Sequence, residues 1–169
     1  KAQGALYTGH TAVASCVIVD QCIIAKLAFV FNSYINNSSD SITAKLTLTP
    51  LFIFLQTLDL SQNAIEQFSS YGLPTLKTLD LSSNSLPEFP RPCNGSNNPF
   101  YPKLENLFLR RNRISETYLL EDYGHCLTAL VKLDLSLNPI KIILPFAFVY
   151  FKDLTYLYLE QLLGVIEVN

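Results

Sequence analysis

The reactive side chains of this sequence belong to four cysteines and two histidines, namely Cys16, Cys22, Cys93, Cys126, His10 and His125. The cysteines lack the paired C-x-x-C spacing of a zinc site, and neither histidine has a visible nucleophile to activate. An even number of cysteines favours disulfide bonds. We therefore expect two disulfides, no metal site, no cofactor and no catalysis.

Three Asn-x-Ser sequons are the other candidate sites of covalent chemistry. Asn36 and Asn37 overlap in "NNSS", and Asn94 lies in "NGS". Sequons accept N-linked glycans in secreted proteins, and disulfides persist in the same oxidising compartments. Together these residues favour an extracellular or lumenal chain with glycans at the three asparagines.

The composition is that of a folded chain without a strong electric field. Of the 169 residues, 49% are hydrophobic, so a sizeable core can form. The formal net charge is −2 with both signs mixed along the chain, and no basic patch indicates a nucleic acid partner. Polar and charged residues interrupt the most apolar run, residues 11–31, before it reaches the length of a membrane span, so we expect no span within this chain.

An eleven-residue pattern, L-x-x-L-x-L-x-x-N-x-[IL], orders the rest of the chain. It starts at Leu55, Leu76, Leu104 and Leu130, and an altered copy starts at Leu154. The alternating leucines predict a short strand with one buried face. The asparagines of the pattern are Asn63, Asn84, Asn112 and Asn138. Stacked in a column, which we call the asparagine ladder, their amides would satisfy buried backbone groups of neighbouring coils.

The pattern is identified as a leucine-rich repeat, and the resemblance covers about two-thirds of the chain, from near Leu46 to the end. It implies an α/β solenoid in a horseshoe arc, with a parallel concave sheet, an irregular convex side and about five repeats plus an N-terminal cap region. The Phe-containing segment from Asn138 to Leu159 is similar to the animal extracellular subtype. The uneven repeats, the cysteine-rich start and the sequons resemble the N-terminal part of a Toll-like receptor ectodomain.

We expect a flanking or cap region over 1–49 and repeats over 50–169. Cys16 and Cys22 resemble the cysteine cap of this family, and two buried free thiols are the alternative. Four cysteines allow three pairings, and we favour Cys16 with Cys22 and Cys93 with Cys126 because each pair lies close along the array. Leu162 stands where a fifth ladder asparagine is expected, and no C-terminal cap follows it. We therefore expect a piece of a longer array, or a chain that depends on a partner.

A binding site is expected on the concave side, because only the outward strand positions are free to vary. The candidate residues, all from the last three repeats, are Asn106, Phe108, Arg110, Lys132, Asp134, Tyr156, Tyr158 and Glu160. Aromatic rings beside an arginine are common interface anchors. The alternative is an ordinary surface, with isolated exposed rings, a solvated aspartate of the kind that "LDLS" carries throughout the family, and surface ion pairs from Arg110 or Arg111 to Glu105 or Glu160.

The insertion from Leu86 to Lys103 is the second candidate site. Its Pro, Gly and Asn content predicts a loop that leaves the coil. A Cys93–Cys126 bridge would pin this loop to the next repeat, and loops on a rigid scaffold often carry function. A merely tolerated insertion, shielded on one side by a glycan at Asn94, is the alternative.

The resemblance implies the recognition module of a Toll-like innate-immune receptor, which binds a protein or microbial ligand, or a second receptor chain, and dimerises without catalysis. A secreted or cell-surface adhesion or matrix-binding protein with the same repeats is the alternative. An intracellular leucine-rich repeat adaptor is the third hypothesis, and it predicts free thiols at Cys93 and Cys126 and no sugar on Asn94.

Overall fold

A computed structural model describes residues 12–19, 21–29, 43–45, 54–69, 72–117 and 120–162, the first three of these ranges as backbone strands. The elements are β1 (Ala12–Val19), β2 (Gln21–Phe29), β3 (Thr43–Lys45), β4 (Thr57–Asp59), β5 (Gln67–Ser69), β6 (Thr78–Asp80), β7 (Asn106–Phe108), α1 (Leu120–Gly124), β8 (Lys132–Asp134) and β9 (Tyr156–Tyr158). We number the coils of the repeat 1 to 5 from their starts at Leu55, Leu76, Leu104, Leu130 and Leu154.

Seven strands form one sheet in the order β1-β2-β4-β6-β7-β8-β9. The first two strands are antiparallel, and each later neighbouring pair is parallel. Equivalent residues of successive coils face one another; Leu107, for example, aligns with Leu79 on one side and Leu133 on the other. The parallel solenoid predicted from the repeat is therefore confirmed.

The hairpin of β1 and β2 extends the same sheet. β2 pairs in parallel with β4, from Ile24 opposite Thr57 to Lys26 opposite Asp59. Residues from the predicted cap region thus continue the sheet of coil 1, and the division of the chain at residues 49 and 50 stays a prediction.

Leucines fill the interior of the coils. Those at the first, fourth and sixth positions of the pattern are 0–2% exposed in coils 1 to 4. Each buried leucine contributes about 1.5–3 kcal/mol relative to an exposed one. The repeated leucines are thus explained by packing, and they carry no information about a ligand.

The asparagine ladder joins coils through buried amides. The Asn138 Nδ2 donates to the carbonyl oxygens of Leu109 and Leu135, both at 2.9 Å. Its Oδ1 accepts from the Ile114 N–H at 3.1 Å. The ladder asparagines of coils 2 and 3 make equivalent bonds. One side chain therefore satisfies backbone groups of two coils at once.

A left-handed residue precedes the ladder position in every coil. These residues are Gln62, Ser83, Arg111, Leu137 and Gln161, with φ between 47° and 58°. In coils 1 to 4 the N–H of this residue donates to a carbonyl oxygen of the next coil at 2.8–2.9 Å. A left-handed conformation costs a non-glycine residue about 1–2 kcal/mol, which this bond between coils helps to offset. Because Gln161 keeps the conformation although Leu162 follows it, the turn does not depend on the asparagine.

The segments that return from one strand to the next are mostly irregular, as the repeat predicts. Among the described residues the only α-helix is α1, in coil 3. No helix in the described ranges is long and apolar enough to cross a membrane.

The interior is least covered at coil 5. Leu157 is 37% exposed, whereas Leu133, the aligned residue of coil 4, is 0% exposed. Within the described ranges, no further strand lies beyond β9. The strand leucine of coil 5 therefore contributes less packing stabilisation than its equivalent in coil 4.

Candidate functional site

The outward side chains of the parallel strands form one surface, which we call the sheet face. Its first row is Thr57, Thr78, Asn106, Lys132 and Tyr156, and its second row is Asp59, Asp80, Phe108, Asp134 and Tyr158. A third row follows the strands, with Ser61, Ser82, Arg110, Ser136 and Glu160. The in-register strands bring all eight predicted binding residues onto coils 3 to 5 of this surface.

The aspartates of the second row have a local structural role. The Oδ1 atoms of Asp59, Asp80 and Asp134 each accept from a backbone N–H two residues later, at 2.8–2.9 Å. These bonds occupy a donor at the end of each strand. Asp134, one of the predicted binding residues, is therefore accounted for by the geometry of its own strand end.

Phe108 and Tyr158 replace that aspartate in coils 3 and 5, and they surround a lysine. The Lys132 Nζ lies 5.4 Å from the Phe108 ring centroid and 5.2 Å from the Tyr158 ring centroid. Both distances are within the range of cation–π attraction. All three residues are only partly buried. We call Phe108, Lys132 and Tyr158 the ring–lysine cluster.

Charged residues flank this cluster. Arg110 Nη1 lies 3.7 Å from Glu160 Oε2, and the two side chains are 42% and 69% exposed. Such an exposed pair contributes at most about 1 kcal/mol. Glu105, the other predicted partner of this arginine, pairs with Lys77 at 3.1 Å.

Asn106 and Tyr156, the other candidate residues of the first row, differ in the contacts and exposure of their side chains. Asn106 Nδ2 donates to Thr78 Oγ1 at 3.2 Å. Tyr156 is 54% exposed and lies beside the cluster on β9. The polar contact ties Asn106 to coil 2, while Tyr156 presents its ring to solvent.

The predicted Cys93–Cys126 disulfide is in the structure, with 5.9 Å between the Cα atoms. It ties the insertion of coil 2 to the residues that follow α1. Asn94 is exposed on this loop, and its Oδ1 accepts from the Ser96 and Asn98 N–H groups at 2.9 and 3.0 Å. The second candidate site is thus a loop that the disulfide ties to coil 3 and that the Asn94 side chain stabilises from within.

The other covalent predictions fall largely outside the described residues. Asn36 and Asn37 are not among them. Cys16 and Cys22 lie on the paired backbones of β1 and β2, opposite Ala25 and Ile18 respectively. Their side chains are not described, so their disulfide stays a prediction.

One further feature, the hydroxyl of Tyr101, was not predicted from the sequence. In the described part, the only buried side-chain nitrogen or oxygen atom without a hydrogen-bond partner is the Tyr101 hydroxyl. Burial raises the pKa of that hydroxyl above its ordinary value. The same ranges contain no group of three or more His, Cys, Asp or Glu residues that could hold a metal ion.

Comparison with known proteins agrees with this geometry. Residues 75–100, which cover most of coil 2 and of its insertion, match the model of the Leucine Rich Repeat family. No curated protein matches the chain significantly. The family match and the parallel solenoid together support a leucine-rich repeat protein.

Proposed function

We propose that this chain is an extracellular recognition module of an innate-immune receptor of the Toll-like type. It binds a protein or microbial ligand through the sheet face of coils 3 to 5 and acts by binding and dimerisation, without catalysis. The leucine-rich repeat itself suggests a protein-binding role. The observation that carries the binding part of the proposal is the ring–lysine cluster.

The two rings of the cluster stand at a strand position where the other coils carry an aspartate that stabilises the strand end. In coils 1, 2 and 4 an aspartate bonds the strand end, and such a hydrogen bond contributes about 0.5–1.5 kcal/mol. A phenylalanine or tyrosine ring cannot accept that bond. Phe108 and Tyr158 also leave ring surface in contact with water. Packing and local geometry therefore do not account for the rings, whereas a partner that covers them would.

The disulfide and the sequon support the extracellular part of the proposal. Disulfides persist in oxidising compartments. Cys93 and Cys126 are bonded, and the adjacent Asn94 is exposed as a glycan acceptor must be. Mass spectrometry of protein from its native source, without reduction and with and without deglycosylation, tests this part. We expect a bonded Cys93–Cys126 peptide and sugar on Asn94; free thiols and a bare asparagine would favour the intracellular adaptor.

The binding part is tested with a ring-less variant, Phe108→Ser with Tyr158→Ser. The control is Thr57→Ala, which changes the same sheet face in coil 1. The probes are a yeast-displayed library of extracellular protein domains and a solubilised bacterial cell-wall fraction, both applied to the immobilised chain. We expect the ring-less variant to lose at least about tenfold in affinity for the partners selected by the wild type, since central aromatic anchors contribute about 2 kcal/mol or more. Equal losses in the control would place the site elsewhere.

A further inference from the structure

Lys132 is the centre of the ring–lysine cluster. Its strand, β8, lies between β7 and β9, which carry the two rings. A ring face attracts a cation through its quadrupole, but the attraction does not neutralise the charge. The cluster therefore holds a full positive charge between two apolar walls.

The neighbouring charges leave this cation without an anion in contact. Three other charged residues share the sheet face here: Arg110, Asp134 and Glu160. Arg110 and Glu160 pair with each other, and Asp134 bonds a backbone N–H of its own strand end. Across the described ranges, no carboxylate oxygen lies within 4.0 Å of the Lys132 Nζ. Lys132 is thus the cation of the site that is available for a new ion pair.

We propose that the ring–lysine cluster binds an acidic side chain of a partner polypeptide, a step that rests on the proposed binding function. The carboxylate lies on the Lys132 ammonium, and the apolar neighbours of that acidic residue lie on the Phe108 and Tyr158 rings. A partner that covered Lys132 with apolar atoms alone would bury an unpaired charge, which is strongly unfavourable. A carboxylate instead forms a charge-assisted hydrogen bond.

The test is a selection of random twelve-residue peptides, displayed on phage, against the whole chain with its disulfide intact. Selected peptides are then synthesised, and their affinities are measured for wild type, Lys132→Met, Lys132→Arg and the ring-less variant. Lys132→Met keeps the apolar stem and removes the charge, and Lys132→Arg keeps the charge. Lys103→Met is the control, because Lys103 is an exposed lysine that lies outside the strands of the sheet face. Circular dichroism checks that each variant is folded.

We expect the peptides to be enriched in Asp or Glu beside apolar residues. Their affinity should fall at least about tenfold in Lys132→Met, change less than about threefold in Lys132→Arg and Lys103→Met, and weaken as salt rises. Peptides that lose affinity in the ring-less variant but carry no acidic residue and ignore Lys132→Met would overturn this inference and leave the proposed function standing. If no peptide responds to the ring-less variant, both are wrong.

Discussion

At the scale of single residues, Asn138 shows why one position of the repeat is so restricted. Its amide donates to carbonyl oxygens of coils 3 and 4 and accepts from the Ile114 N–H, with the side chain 0% exposed. No apolar side chain of this size offers both a donor and an acceptor. Coil stacking therefore depends on the chemistry of the amide as well as on its volume.

Replacing this asparagine should be costly. We expect Asn138→Ala to lower the free energy of unfolding by about 2–4 kcal/mol, because buried carbonyl and N–H groups lose their partners. Asn63→Ala in coil 1 is the control and should cost less, since Asn63 is only partly buried. Urea denaturation measures both, and equal losses would show that burial of the amide does not set its contribution to stability.

Replacing Tyr101 should not lower stability in this way. Its hydroxyl is buried without a partner, so Tyr101→Phe should leave the free energy of unfolding unchanged or raise it by up to about 2 kcal/mol. The pH dependence has a definite sign. Because burial raises the pKa of this phenol in the folded state, the unfolded state holds fewer protons above its own pKa of about 10, and stability falls as pH rises.

Denaturation between pH 8 and pH 11.5 should therefore show wild type losing stability relative to Tyr101→Phe above about pH 10, by up to about 1.4 kcal/mol per pH unit. Parallel curves for the two proteins would mean that the hydroxyl has a partner or reaches solvent.

The sequence alone was enough to predict the role of residues that recur at the same position of each coil. It was not enough to predict the role of residues that occur in one coil only. Asn112 could be assigned because its neighbours in other coils show the same spacing. The position of the Lys132 ammonium depends on how a long side chain lies between two rings from different strands, which no local pattern records. The hydroxyl of Tyr101 was missed for a related reason, because no pattern in the sequence records which buried polar atoms lack a partner.

At the scale of elements, strand and turn are specified by different forces. The strands follow from alternating leucines that must be buried. The turns rely on a left-handed residue whose N–H bonds the next coil, and the residues at this position are as varied as Gln62, Arg111 and Leu137. That variety explains why the turn conformation could not be predicted from residue type.

Leucines at equivalent strand positions should contribute differently to the free energy of unfolding, according to how fully neighbouring coils cover them. Leu133→Ala in β8 removes a side chain that is 0% exposed and should lower the free energy of unfolding by about 2–5 kcal/mol. Leu157→Ala in β9 should cost less than about 2 kcal/mol, because its side chain is 37% exposed. The two variants make the same chemical change in aligned positions. A loss at Leu157 as large as that at Leu133 would mean that coil 5 is covered in solution.

At the scale of the whole molecule, the sheet face divides into two parts. Coils 1 and 2 repeat the same outward residues, Thr, Asp and Ser, and their aspartates serve the strand ends. Coils 3 to 5 carry the rings, the unpaired ammonium and the Arg110–Glu160 pair. With a formal net charge of only −2, the molecule has no strong long-range field, so recognition rests on this local cluster.

The most direct test of this division is Phe108→Asp, which gives coil 3 the residue that coils 1, 2 and 4 carry. Urea denaturation and binding to the partners or peptides selected by the wild type are measured on the same preparation. We expect the free energy of unfolding to stay within about 1 kcal/mol of wild type, since the new carboxylate can bond the strand end as Asp80 does. We expect affinity to fall at least about tenfold. A stable variant that binds as well as wild type would show that Phe108 does not serve recognition. A variant that loses several kcal/mol of stability would show that Phe108 serves the scaffold.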